Sequence, residues 1–216
     1  ESYTARDYRR GERKAPEDRV TYCGSNPVSD LWSEKALSLL AGAFRNAVHR
    51  GGDDVQARTD MMMAATFAGM GFGNAGVHIP HANGYPIAGQ VSDYHPAGYP
   101  SDEAMVPHGQ SVSLTAPAAF RFTFDAAPQR HLRAAALLAP QLETLSDPSE
   151  QLPRALTELM RDIGMPNGLQ ACGFEVGHID ELVAGTMKQQ RLLSTCPKDV
   201  SENDIAAIFN ESWENW

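Results

Sequence analysis

Apolar side chains recur every three or four residues in successive segments of this 216-residue chain. That spacing is the period of an amphipathic α-helix. The clearest case is the segment 30–49, for which Ser29 is the predicted N-cap and Gly51-Gly52 the predicted end. Further helices are predicted from Asp53 onward and at 110–124, 129–139, 149–164, 179–193 and 201–213. Because no segment alternates between apolar and polar residues and none forms a βαβ unit, the predicted fold class is all-α.

Two regions differ in their patterning. Residues 1–28 mix charged residues, Gly and Pro without a clear period, which predicts an irregular N-terminal arm. Residues 29–216 form one predicted helical domain, and this length is sufficient to bury a substantial core. Within that domain, a long loop is predicted between the glycine-rich segment and His108, where Pro and Gly are frequent.

Charge and hydropathy exclude several classes of partner. The net charge of −9 would repel a phosphate backbone, so no nucleic-acid partner is expected. No stretch reaches the roughly 18 uncharged apolar residues of a membrane span, so no membrane partner is expected. The start of the chain has no basic-then-apolar signal pattern, and the three cysteines contain no CxxC pair. The expected location is therefore the cytoplasm.

Three histidines are candidate metal ligands. His78 and His81 lie three residues apart, and His108 follows His81 by 27 residues. On a helix, the first two imidazoles would share one face, although Pro80 between them disturbs that expectation. Neutral imidazole binds iron and zinc, and a bound ion would be reactive toward an oxygen ligand. The alternative is that these are ordinary core or surface histidines, and the spacing alone does not exclude it.

Four glycines, Gly69, Gly71, Gly73 and Gly76, lie within eight residues of each other. They could let a backbone approach a phosphate, but no strand precedes them and no GK[ST] follows. Close helix packing or a helix break near a ligand is the favoured interpretation.

The run AGMGFGNAGVHIPHANGYPIAG at 68–89, followed by VPHG at 106–109, resembles the motifs of group III, iron-containing alcohol dehydrogenases. In that family a glycine-rich AGxxFxNxG helix leads to a histidine element, and a Pro-His-Gly element lies further on. The resemblance implies that His81 and His108 bind the metal. It also implies that Phe72 and Asn74 lie at the nicotinamide cofactor.

Within the family, the sequence is most similar to the hydroxyacid-oxoacid transhydrogenase branch, through GNAGVHxxHxxxYPIxG, GSNPVSDLW at 24–32 and VPHGQSVSLTAPAAF. The resemblance implies a dehydroquinate synthase-like fold, with an α/β domain for NAD followed by a helical metal-binding domain. It implies hydride transfer from an alcohol or hydroxyacid such as 4-hydroxybutyrate to NAD, and then to a 2-oxoacid. The implied cofactors are NAD and a divalent metal, iron by the family's name and zinc as the alternative.

Two departures from the family pattern affect the predicted site. The family's other two ligands belong to a DxxxHAxE-like element, whereas this sequence opens with Glu1-Ser2-Tyr3, which resembles the residues directly after that element. Tyr85 stands where simple alcohol dehydrogenases of the family carry an additional histidine, and it is the candidate catalytic residue; the alternative is an aromatic side chain packed beside Pro86, with its hydroxyl capping a backbone group. The family register assigns ligation to His81, so we expect His78 to support the ligands from outside the coordination shell or to pack in the core.

The sequence therefore predicts the helical half of an oxidoreductase that depends on an upstream NAD-binding domain and is inactive without it. The rival hypothesis is a stand-alone helical binding module that kept the fold without catalysis. A homodimer is compatible with either.

Overall fold

The structure, a computed structural model, describes residues 1–7, 14–19, 21–100 and 102–216. These ranges contain helices and short 3₁₀ turns but no strand, which confirms the predicted all-α class. Part of the predicted arm, residues 8–13 and 20, lies outside the described residues. The α-helices are α1 Pro27–Arg50, α2 Val55–Ala75, α3 Ile79–Gln90, α4 His108–Leu114, α5 Ala116–Thr123, α6 Pro128–Leu138, α7 Gln151–Asp162, α8 Ile179–Met187, α9 Gln190–Leu193 and α10 Glu202–Glu211.

Helix α1 begins earlier than its sequence predicts, because Asn26 and not Ser29 is its N-cap. The Asn26 side chain accepts hydrogen bonds from the backbone N–H groups of Val28 and Ser29. Pro27 occupies the first helical position, where no backbone N–H is required. Ser29 is buried in the first turn.

Helix α2 runs through most of the glycine-rich segment, so Gly69, Gly71 and Gly73 are helical and do not break the helix. Its N-cap is Asp54, whose side chain accepts from the Ala57 N–H at 2.9 Å. It ends at Gly76, whose φ of +85° is accessible mainly to glycine.

Two predicted helices are each divided. The segment 110–124 splits at Thr115 into α4 and α5, and Pro117 lies in the first turn of α5, where proline is tolerated. The segment 179–193 is interrupted after α8, before the short α9. The predicted loop between α3 and α4 carries no helix or strand in its described residues.

Two clusters of buried side chains form the core. One contains side chains from α3, α4, α8, α9 and α10, and includes Ile87, Leu114, Leu182, Cys196 and Phe209. The other joins α5, α6 and α7, and includes Phe120, Leu138, Leu152 and Leu159. Tyr3 packs into the second cluster, so the first residues of the chain contribute to the core. No described helix is both long enough and apolar enough to cross a membrane.

Gly71 sets the close approach of α1 and α2, because a Cβ atom there would lie 2.6 Å from Ser33 Oγ and 3.3 Å from the Ser29 carbonyl oxygen. We expect Gly71→Ala to lower the free energy of unfolding by about 1–3 kcal/mol, the usual cost of overpacking. Gly69→Ala is the matched control, since nothing lies within 4 Å of its built Cβ. That control should be neutral or stabilising by up to about 1 kcal/mol. Urea unfolding followed by circular dichroism measures both, and equal stability of the two variants would contradict this packing role.

Candidate metal centre

The link between α2 and α3 positions His78 and His81. Gly76 ends α2, and α3 begins directly after His78 with Pro80 in its first turn. Pro80 therefore does not interrupt a helix, because the first turn needs no donor from that residue. His81 lies in the same first turn, with its side chain 23% exposed.

His108 begins α4, at the end of the loop that follows α3. Its ring centroid lies 5.4 Å from that of His81, with the ring planes at 63°. Two imidazoles bound to one ion at a tetrahedral angle have centroids about 5.2 Å apart, given nitrogen-to-metal distances of about 2.1 Å. The separation thus fits two ligands of a single ion. The described residues contain no group of three or more His, Cys, Asp or Glu side chains suited to a metal.

Glu1 joins this site and was not identified as a site residue from the sequence. Its Oε1 accepts the backbone N–H groups of His78 at 2.9 Å and His81 at 3.1 Å, and its Oε2 contacts His81 Nδ1. Burial raises the pKa of the Glu1 carboxyl, but its hydrogen bond with His81 and the nearby positive charge outweigh burial and lower that pKa to about 2. The carboxyl is therefore ionised at neutral pH. The sequence signal was the resemblance of Glu1-Ser2-Tyr3 to the residues beside the family's other ligands.

His78 is fully buried and faces the core with its ring. Its Nε2 lies 3.2 Å from Thr4 Oγ1, and its ring packs edge-on against Phe120 at 5.8 Å between centroids. Burial lowers the pKa of His78 to about 3, so the imidazole is neutral. Its Nδ1 has no hydrogen-bond partner among the described residues. The contact of His78 with the His81 site runs through its backbone N–H and Glu1.

Phe72 and Asn74, the predicted cofactor-binding residues, lie near the C-terminal end of α2. The Phe72 ring is 42% exposed, and its centroid lies 6.4 Å from that of His81. Asn74 has a structural contact that the sequence did not predict. Its Oδ1 accepts from Asn26 Nδ2 at 3.0 Å, which joins the start of α1 to the end of α2.

Tyr85 lies on α3, four residues after His81, and half of it is exposed. Residues four apart on a helix lie on nearly the same side. Within the described part of the chain, the Tyr85 hydroxyl has no hydrogen-bond partner, so it does not cap a backbone group there.

Two cavities of about 590 Å³ each lie elsewhere in the domain. One is lined by Arg121, Glu150 and Arg154, and the other by Arg6, Arg130 and Lys198. Neither cavity is lined by His81 or His108. We place the candidate site at the two histidines, because paired imidazoles can bind a metal whereas cavity size alone indicates no chemistry.

A family model described as "Fe-containing alcohol dehydrogenase family, C-terminal" matches residues 17–213. The chain is 43% identical over 216 residues to the mitochondrial hydroxyacid-oxoacid transhydrogenase of Rattus norvegicus. The matched region covers 98% of this chain and 46% of that protein. The transhydrogenase of Xenopus laevis is 44% identical with the same coverage. The chain therefore spans about half the length of these curated relatives.

Solved structures also match nearly the whole of this chain and about half of their own length. A 1,3-propanediol oxidoreductase superposes with a TM-score of 0.77 and 27% identity, covering 98% of this chain and 48% of that one. An alcohol dehydrogenase from Oenococcus oeni superposes with a TM-score of 0.77 and 26% identity, covering 99% of this chain and 48% of that one.

The expectation of a cytoplasmic location is wrong, because the relatives at this level of identity are named as mitochondrial proteins. That expectation rested on the absence of a signal pattern near residue 1. Such an absence is uninformative in a chain that spans under half of the rat relative.

The family match, the relatives and the superpositions agree with the motifs at 68–89 and 106–109. The glycine-rich helix and the two histidine elements have the order that those motifs require. The chain belongs to the Fe-containing alcohol dehydrogenase family, and its residues 17–213 correspond to the family's C-terminal domain.

Proposed function

We propose that this chain is the metal-binding half of a metal- and NAD-dependent oxidoreductase of the hydroxyacid-oxoacid transhydrogenase type. The observation that carries the proposal is the pairing of His81 and His108 at 5.4 Å between ring centroids, beside the partly exposed Phe72. The relatives at 42–44% identity are named for that activity.

His81 and His108 would hold the metal. Both are imidazoles, which bind iron and zinc, and the family description favours iron. A bound ion would supply Lewis acidity toward the oxygen of an alcohol or hydroxyacid substrate. Two ligands leave the shell incomplete, and the upstream DxxxHAxE-like element implied by the resemblance would complete it.

Three further side chains act on the organic reactants in this proposal. Phe72 offers an exposed aromatic face to the nicotinamide, 6.4 Å from His81 between centroids. Tyr85 presents a hydroxyl that has no hydrogen-bond partner among the described residues, and this hydroxyl would orient the substrate. The Asn74 side chain uses its Oδ1 to join α1 and α2, which leaves its Nδ2 available to donate to the cofactor.

An upstream NAD-binding domain is the partner that this function requires. Val28 and Leu31 of α1 are 66% and 72% exposed, at the end of the α1–α2 pair that also carries Met70 and Phe72. Exposed apolar side chains of this kind mark interaction surfaces. We propose that this end of α1 and α2 faces the NAD-binding domain. A homodimer is compatible with the proposal but is not required by it.

The proposal is tested with the full-length protein, loaded with iron or zinc and mixed with 4-hydroxybutyrate and 2-oxoglutarate. Metal-dependent conversion of both compounds supports it. Absence of turnover by metal-loaded protein with these compounds and with simple alcohols would leave the rival hypothesis, a helical module that binds without catalysis. The encoding gene gives an independent test. A continuous upstream reading frame of roughly 150–200 residues, an ordinary domain size, would support the enzyme. A start codon just before Glu1 would support the stand-alone module.

Tyr85→Phe in the full-length protein should lower turnover roughly tenfold to a hundredfold, the effect of losing one oriented hydrogen bond at the reacting group. Metal content and thermal stability should not change, because the Tyr85 hydroxyl has no hydrogen-bond partner among the described residues. Steady-state kinetics and metal analysis measure the two effects. Wild-type kinetics in this variant would leave Tyr85 with a packing role only.

A further inference from the structure

We propose that Glu1 is a positioning residue, whose carboxylate holds His81 in the tautomer that presents Nε2 to the metal. This inference rests on the proposed function. It concerns a residue that lies outside the ligand set and acts on the ion only through His81.

The geometry around Glu1 supports this role. Its Oε2 contacts His81 Nδ1, and its Oε1 accepts the backbone N–H groups of His78 and His81. An ionised carboxylate only accepts hydrogen bonds, so a neutral His81 must donate its Nδ1–H to it. The proton is then absent from Nε2, and that nitrogen is free to bind an ion. Histidine ligands in metal proteins commonly donate their second N–H to a carboxylate in this way.

The surroundings fix Glu1 in place. Its side chain is only 9% exposed, and the two backbone donors belong to the residue before α3 and to the first turn of that helix. A helix N-terminus also favours a negative charge, so the start of α3 stabilises the carboxylate through its dipole as well as through these hydrogen bonds. The orientation of His81 is thus set by α3 itself through Glu1.

A purely structural cap on α3 is the alternative role, and Glu1→Gln separates the two. The glutamine oxygen can accept both backbone N–H groups, which places its NH₂ group against His81 Nδ1. His81 must then accept at Nδ1 and carry its proton on Nε2, where the proton blocks the metal. Capping is retained, whereas the tautomer is reversed.

The experiment uses the full-length protein labelled with ¹⁵N-histidine and Zn²⁺ as the metal probe. Histidine ¹⁵N shifts of the metal-free protein report the His81 tautomer, with the resonance assigned through its loss in His81→Ala. Competition with a chelator gives the Zn²⁺ affinity. We expect Glu1→Gln to reverse the tautomer and to weaken Zn²⁺ binding about 10- to 100-fold, as measured when partners of ligating histidines are removed.

Glu34→Gln is the matched control. Glu34 accepts hydrogen bonds from Tyr3 at 2.7 Å and Arg133 at 2.9 Å and has no hydrogen bond with His81. Both readouts should stay at the wild-type values in this variant. An unchanged His81 tautomer in Glu1→Gln overturns the positioning role. A wild-type protein that binds no Zn²⁺ overturns the proposed function instead, and the tautomer comparison still decides the role of Glu1.

Discussion

Replacing His108 with Ala in the full-length protein is expected to weaken metal binding by more than about 100-fold, because loss of a ligand should exceed the 10- to 100-fold cost of losing a ligand's partner. The His81→Ala variant should behave in the same way, since the two ring centroids lie only 5.4 Å apart. Turnover should fall in parallel with metal occupancy. Metal analysis after dialysis and steady-state kinetics measure these effects.

His49→Ala is the control for the loss of an imidazole. His49 lies near the end of α1, and its Nε2 contacts the Asp162 carbonyl oxygen at 2.6 Å. That variant should retain wild-type metal content. If the His81 and His108 variants also retain it, the metal is bound elsewhere.

The isolated 216-residue chain is expected to show no NAD reduction with 4-hydroxybutyrate, whereas the full-length protein is expected to be active. Dinucleotide binding of the usual kind needs a glycine-rich turn between a strand and a helix. In this chain the glycines lie inside α2, and the described residues form no strand. Absorbance at 340 nm under matched metal loading measures the difference. Robust cofactor reduction by the isolated chain would contradict the proposed division between two domains.

The helices were predictable because helical period and capping are local properties of the sequence. As expected, α1 ends directly before Gly51 and α2 begins directly after Asp54. The Asn26 cap of α1 was missed because Ser29 is also a good capping residue, and its burial in the first turn is a tertiary property. The sequence left open whether the glycines of α2 allow close helix packing or break the helix, because the close packing at Gly71 depends on the approach of Ser33, 38 residues earlier in the chain.

The candidate site was predictable only in part. The number of residues between His81 and His108 does not define the distance between their side chains. The expectation that they lie close together came from the resemblance to a family. The contact between Glu1 and His81 joins residues 80 positions apart, which no local pattern reveals. Asn74 was assigned to the cofactor from its motif, whereas its contact with Asn26 depends on how α1 and α2 pack.

Anomalous X-ray diffraction from crystals of the metal-loaded full-length protein tests whether His81 and His108 bind one ion. We expect one anomalous peak per chain, within about 2.0–2.2 Å of a ring nitrogen of both His81 and His108. A peak that contacts neither imidazole, or two separate peaks with one histidine each, would contradict the assignment of these residues to a single metal centre.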